Sequence, residues 1–483
     1  MDHPWSSSAL KQRFGLLLLS VGAFLIHGYH PGVEDAEIYL PGVEKILRPE
    51  LFPFNSEFFS SHAHLTLFPN LVAGSVRITH LPLDVILLAF EFGSIFLLLL
   101  ACWQLSGELF RSPQARWCGV ALIASLLTLP IAGTALYILD QYTNPRNLAA
   151  FAAVFAVGYT VKRKYVAASL WIIFGGAIHP LMTVFALSFC VLLVWMRNPR
   201  LELVAWLPLG ILFNRSSAAY HEAAPPYFYI LNWQWYEWLG IVAPVAILWW
   251  LGRIARSRKL WNLNLVCRAL IVYDLVYFAG ALVFTIPARF ESLARLQPLR
   301  SLHLLYILLF LICGGFLGEY VLKNRLWRWA ALFAPLCVGM FMAQLALFPA
   351  SPHIEWSLTS QKNDWANAFV WARNHTPSDA MFALDPFLMR IPGEDTHGFR
   401  AIAERSMLAD ATKDGGAVSM FPELADQWHR QVEAASGWKH FQLQDFERLR
   451  AEYGVNWIVL RRPGVAGLSC PYKNKAVLVC RLD

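Results

Sequence analysis

The run Glu34-Asp35-Ala36-Glu37 places three carboxylates in four positions, one residue beyond the helix breaker Pro31-Gly32. One carboxylate of such a group can take a proton from an attacking hydroxyl, and a pair can hold a divalent cation beside a phosphate. The alternative is a solvated acidic turn at a helix N-terminus, where the helix dipole favours negative charge. Two later stretches supply cations. One is Asp140-Gln141-Tyr142-Thr143-Asn144-Pro145-Arg146; the other runs from Arg289 to Arg300 and includes Arg295, Gln297 and Pro298. Guanidinium groups grip a lipid phosphate or pyrophosphate with two prongs, although arginines at helix ends also snorkel to headgroups. His179-Pro180 could steer a phosphate, or bond a backbone carbonyl in a core role. Trp233 and Trp235 lie in an aromatic stretch from Pro225 to Trp238 that could stack on a sugar or prenyl chain, or form an interface belt. Tyr39 and Tyr142, beside the acidic and basic motifs, are further candidate contacts to an acceptor or lipid.

The elements that must position these groups are mostly apolar. Hydrophobic residues make up 57% of the chain and charged residues 15%, against about 25% charged in soluble domains. The mean hydropathy of +0.43 agrees. A net charge of +7 would suggest nucleic acid in a soluble protein. Here Lys and Arg sit in short clusters between apolar runs, the pattern that orients a membrane protein, so nucleic acid is excluded as a partner.

A crossing helix needs about 20 apolar residues. The spans are Phe14–Tyr29, Leu81–Leu105, Trp117–Leu139, Leu265–Pro287, Leu302–Leu317 and Trp327–Phe348. Shorter ones are Leu148–Val161, Val166–Ile178, Leu181–Met196, Leu201–Phe213 and Leu239–Leu251. This predicts a polytopic α-helical protein of about eleven crossings. The first span follows Lys11 and Arg13 as in a signal peptide, but no small-residue cleavage site follows it, so it is expected to stay. Basic clusters at Lys11/Arg13, Arg111/Arg116, Lys162–Lys164, Arg197/Arg200, Arg253–Lys259 and Lys323–Arg328 mark the cytoplasmic side. The long outer loop, residues 31–80, carries the acidic motif, and its His64–Val76 run reads as helices on the membrane surface.

Residues 1–350 thus form a membrane domain, and 351–483 a small extracytoplasmic α/β domain. In the latter, Trp365–Arg373, Phe399–Leu408 and Phe421–Ala435 read as helices, and Ala380–Leu384, Asn456–Leu460 and Ala476–Leu482 as strands. Cys470 and Cys480 flank the last hairpin, where an outer location permits a disulfide; two free thiols are the alternative. No cysteine spacing suits a metal.

Taken together, the layout resembles the type C glycosyltransferase superfamily. The resemblance rests on a first span, a long outer loop opening with Glu34 and Asp35, many further spans and an outer C-terminal domain. Details are similar to uncharacterised bacterial members: Asp35 to Tyr39 followed by Leu51-Phe52-Pro53, Asn144-Pro145-Arg146, His179-Pro180, Gln297-Pro298-Leu299-Arg300, Trp371 to Asp379, and Tyr453 to Asn456. The resemblance implies transfer of a sugar from a polyprenyl phosphate or pyrophosphate to a glycan, lipid or protein acceptor outside a bacterial inner membrane. Asp35 would be the base and Glu34 its partner; Arg300 and Arg146, with Arg295 and His179, would meet the donor phosphate. The chain departs from the pattern in lacking a clear second acidic motif beyond Glu37 and Asp140, so a divalent metal is a candidate rather than a requirement. The rival reading is a non-enzymatic protein, a lipid-linked glycan transporter or a scaffold, since Asp84, Glu91 and Asp274 fall within predicted spans.

Overall fold

Apolar runs fold as helices here because backbone groups in hydrocarbon must bond to one another. The computed structural model describes residues 7–198, 218–286, 293–358 and 362–482. Helix α1 (Ser7–His27) leads into three short helices, α2 (Ala36–Leu47), α3 (Glu57–His64) and α4 (Phe68–Thr79). Next come α5 (Leu83–Leu109), α6 (Pro113–Ser125), α7 (Pro145–Val161), α8 (Tyr165–Ile178) and α9 (Pro180–Arg197). After α10 (Ala218–Ala223) follow α11 (Trp235–Ser257), α12 (Trp261–Thr285), α13 (Leu302–Phe316) and α14 (Leu326–Leu347). Seven of these stretches, those of α1, α5, α9, α11, α12, α13 and α14, are long and apolar enough to cross a membrane. The predicted span Leu201–Phe213 and the cations Arg200 and Arg289 lie outside the described residues.

Outward-facing side chains on the bundle are apolar. Leu18, Val166, Ile173, Val242, Trp249 and Val338 are exposed, and α14 buries only Gln344. Such a surface belongs against lipid, which makes this a polytopic helical membrane protein. Inside, helices approach closely where side chains vanish: a Cβ on Gly119 of α6 would stand 2.7 Å from the carbonyl oxygen of Leu311 in α13.

The basic turns gather at one end of the bundle. Lys162 pairs with Glu108 at 3.7 Å, Arg197 donates to the carbonyls of Thr160 (2.8 Å) and Val161 (2.9 Å), and the Arg258 guanidinium lies 5.5 Å from the Tyr320 ring centroid.

The predicted span Trp117–Leu139 is corrected. Helix α6 stops at Ser125 and the chain runs on irregularly to Asn144. Pro130 disfavours helix in the residue before it, and Ala132 (φ 44°) and Ala135 (φ 55°) adopt left-handed conformations. The segment closes through Ile131 N–H to Leu136 O (2.8 Å) and Leu139 N–H to Leu127 O (2.9 Å).

The C-terminal segment contains α15 (Asp364–His375), β1 (Met381–Ala383), α16 (Phe399–Ala403), β2 (Ser406–Met407), α17 (Lys413–Met420), α18 (Ala425–Ala434), α19 (Leu443–Tyr453), β3 (Trp457–Arg461), β4 (Ser469–Lys473) and β5 (Val477–Arg481). One mixed sheet has the order β2-β1-β3-β5-β4, with β1 parallel to β2 and β3. The predicted helix Phe399–Leu408 ends five residues early. Glu404 turns left-handed at φ 52°, and Ser406–Met407 pairs with β1 instead. Cys470 and Cys480 form a disulfide between β4 and β5.

Candidate active site

Directly after α1, the chain is stitched to the C-terminal segment. Tyr29 N–H donates to His353 O (3.1 Å), Gly398 N–H to Gly32 O (2.8 Å) and Glu34 N–H to Thr396 O (3.0 Å). These bonds hold Glu34 at φ 53°, which few non-glycine residues adopt. Asp35 stands at the N-cap of α2, yet its carboxylate makes no cap bond. Instead Oδ2 accepts from Arg146 Nη1 (2.7 Å), and Oδ1 accepts from Lys413 Nζ (2.8 Å). The same ammonium donates to Glu34 Oε2 at 2.5 Å.

Each cation is placed by its own helix start. Arg146 is the second residue of α7, whose N-cap Asn144 accepts from the Asn147 N–H at 3.0 Å. Its guanidinium also donates to Asp140 Oδ2 through Nε (3.2 Å) and Nη2 (2.8 Å), so it bridges two carboxylates. The Tyr142 hydroxyl accepts from Arg146 Nη2 and from the Asp35 N–H, both at 3.4 Å. Lys413 opens α17, and Asp410 Oδ1 accepts from the backbone N–H of Thr412 and of Lys413, each at 2.6 Å.

A buried ion network lies beneath. Arg400 grips Asp414 with two prongs (2.9 and 2.7 Å) and reaches Glu37 at 3.4 Å. Glu37 also accepts from the Ala401 N–H at 3.2 Å, which ties α2 to α16. Burial pushes the Glu37 carboxyl up to about 8, because Arg400 is already committed to Asp414 and opposes only in part. Asp35 goes the other way. Burial raises it, but Lys413 and Arg146 together outweigh that and hold it well below the usual carboxylate range.

Above these groups opens a cleft of about 1080 Å³, lined by Glu34, Asp35, Tyr142, Arg146, Arg300 and Lys413, with Tyr137, Tyr227 and Arg390 farther along its wall. Its walls come from the start of α7, the chain after α14 and the C-terminal segment, at the helix ends opposite the basic turns. Arg300 differs from the other cations: its Nε is buried with no hydrogen-bond partner.

No family model and no curated protein matches the chain. Among solved structures it is similar to the archaeal oligosaccharyltransferase AglB from Archaeoglobus fulgidus, solved in complex with an inhibitory peptide and a dolichol-phosphate. The TM-score is 0.48 and the identity 12%, over 94% of this chain and 70% of that one.

Of the ten residues singled out from the sequence, Glu34, Asp35, Tyr142, Arg146 and Arg300 meet in the cleft. The other five do not line it. Tyr39 packs edge-on to Phe68 (6.0 Å) and faces His62 (6.5 Å). His179 caps α9, its Nδ1 accepting from the Met182 N–H at 3.5 Å. Trp233 is buried and donates its indole N–H to Tyr227 O (3.1 Å). Trp235 is 75% exposed, as a ring of an interface belt would be. Arg295 lies short of the 3-10 turn Pro298–Ser301.

A divalent cation fits the acid pair poorly. Lys413 occupies the space between Glu34 and Asp35, and no group of three or more His, Cys, Asp or Glu gathers as a metal seat among the described residues. Of the acids in predicted spans, Asp84 accepts from Ser357 Oγ (2.6 Å), and Glu91 from Asn147 Nδ2 (3.1 Å), so both anchor structure. Asp274 is buried with Oδ2 unpartnered. Sequence reasoning missed Lys413 and the Arg400–Asp414 pair. The one local signal is Asp410-Ala411-Thr412-Lys413-Asp414, a polar run with helix-start spacing.

Proposed function

We propose that this chain is a type C membrane glycosyltransferase that moves a sugar from a polyprenyl-phosphate donor to an acceptor hydroxyl at the outer face of a bacterial inner membrane. The observation that carries the reading is the single cleft lined by Asp35, Arg146 and Arg300. Carboxylates from just after α1 and guanidiniums from two later segments share it. Arg300 is the first ligand for the donor phosphate, since its guanidinium keeps a buried, unpartnered N–H while Arg146 is tied to Asp35 and Asp140. The acceptor oxygen attacks the anomeric carbon and its proton passes to Asp35. The anomeric bond to the phosphate oxygen breaks, and its electron pair leaves with the phosphate, where Arg300 meets the charge.

The wider layout follows. Among the described helices the crossings are α1, α5 to α9 and α11 to α14, with 1–350 as the membrane domain and 351–483 outside. A transport reading has Asp274 as its one remaining support.

The test incubates the purified full-length protein with radiolabelled polyprenyl-phosphate sugars. Loss of a general base costs about 10²–10⁴-fold, so Asp35→Asn should lower transfer by that range, and Arg300→Ala should raise the apparent KM for the donor. Asp274→Asn, which the transport reading would disable, should leave transfer intact. Unchanged transfer in Asp35→Asn would rule out the assigned role.

A further inference from the structure

The proposed base is clamped. Asp35 lies between Arg146 at 2.7 Å and Lys413 at 2.8 Å, and a carboxylate holding two cations is a poor proton acceptor. One of them must let go before the acceptor can be deprotonated.

Resting on the reading above, we infer that Lys413 is a charge latch: it holds Asp35 in the resting protein and passes to the phosphate of an incoming polyprenyl-phosphate sugar, so that donor binding releases the base. Lys413 is the cation free to move. Arg146 is fixed by Asp140 as well as Asp35, and its departure would strand a buried carboxylate. Lys413 carries a compact ammonium on a flexible four-carbon stem, able to swing without moving its backbone. That backbone is held, since Asp410 accepts its N–H at 2.6 Å and Arg400 anchors the adjoining Asp414 at 2.7 Å. When the ammonium leaves, Asp35 keeps Arg146, and Glu34, with a side chain 43% exposed, turns to water. The destination is in reach of the same cavity, because Lys413 and Arg300 line one cleft. The donor's phosphodiester spreads its charge over two free oxygens, so one can meet Lys413 while the other meets Arg300, and the charge that appears as the phosphate leaves is met by both.

The test measures binding of a polyprenyl phosphate to the full-length protein in nanodiscs, with the corresponding polyprenol and inorganic phosphate as further arms. Lys413→Met should bind the lipid phosphate about tenfold more weakly, as loss of a charge-assisted hydrogen bond implies. Asp35→Asn should bind it about fivefold more tightly, because the latch is then held less strongly at rest. Combining both substitutions should abolish the gain, the signature of a coupled pair. The polyprenol should show none of these differences. Inorganic phosphate should reproduce their signs if the latch reads the phosphate itself, and the same sign for both single variants there would overturn it. If Lys413 is only a strut between tail and bundle, the two single variants will shift lipid binding in the same direction or not at all, and the inference falls. Should Lys413→Met fail to fold, Asp35→Asn decides alone: unchanged or weaker binding overturns the latch. A wild-type protein that binds no polyprenyl phosphate overturns the glycosyltransferase reading, and the latch with it; binding without the opposed signs removes only the latch.

Discussion

At the scale of single residues, two carboxylates two positions apart in one motif end in opposite states. Asp35 is kept ionised by Lys413 and Arg146, while Glu37, deeper against α16, is pushed up to about 8. Burial acts on both, but two cations oppose it at Asp35, whereas at Glu37 one cation, Arg400, opposes it and Asp410 and Asp414 add to the upward push. For Glu37 the folded value stands above the ordinary value of 4.5. The folded protein therefore holds a proton that the unfolded chain gives up. The stabilising contribution is full below about 4.5, falls as pH rises towards about 8, and is flat beyond. Glu37→Gln, which mimics the protonated form, removes this loss. Thermal melts should show the variant close to wild type at pH 5 and ahead by about 2–4 °C at pH 8.5. An equal gap at both pH values would mean that Glu37 is ionised throughout.

Among elements, the decisive contact is between the chain after α1 and the loop before α16. Gly398 donates to Gly32 O, and a Cβ there would stand 2.5 Å from Glu37 Oε2 and 3.1 Å from the Glu37 Cα. The backbone cannot yield without shifting the turn that carries Glu34 and Asp35. Gly398→Ala should cost about 1–3 kcal/mol by overpacking and reduce transfer, whereas Gly280→Ala, whose Cβ meets nothing within 4 Å, should do neither. Melting temperature and transfer rate together check this, and a wild-type melt for Gly398→Ala would show the contact to be slack. At this scale most of the fold was legible, since a 3.6-residue or apolar pattern marks a helix wherever it runs unbroken. The failures have local causes. Trp117–Leu139 is apolar throughout, but Pro130 and two left-handed alanines end the helix at Ser125. Phe399–Leu408 has a helical pattern, but pairing with β1 recruits its last residues into the sheet.

For the molecule as a whole, charge sorts the two ends. Lys162 pairs with Glu108, Arg197 reaches Thr160 O and Asn262, and Arg258 lies by Tyr320, all at one end, and the cleft lies at the other. A disulfide at Cys470–Cys480 suits an oxidising outer compartment for the end that bears the cleft. Cysteines introduced at Glu452 and at Lys259 should accordingly label from opposite sides. A membrane-impermeant maleimide should modify Glu452→Cys in intact cells and Lys259→Cys only after permeabilisation, at least tenfold less before it. Labelling of Lys259→Cys from outside would invert the orientation.

Membrane class, the charge asymmetry of the turns, the α/β character of the tail and the existence of an acidic motif after the first span are properties of composition and short-range spacing, so they could be read residue by residue. The partner of that motif could not. Lys413 lies 379 positions from Glu34 and 378 from Asp35, and nothing in the spacing of either segment points to the other. An ion pair depends on distance and burial in three dimensions, and the path of the chain alone brings these charges within hydrogen-bond reach.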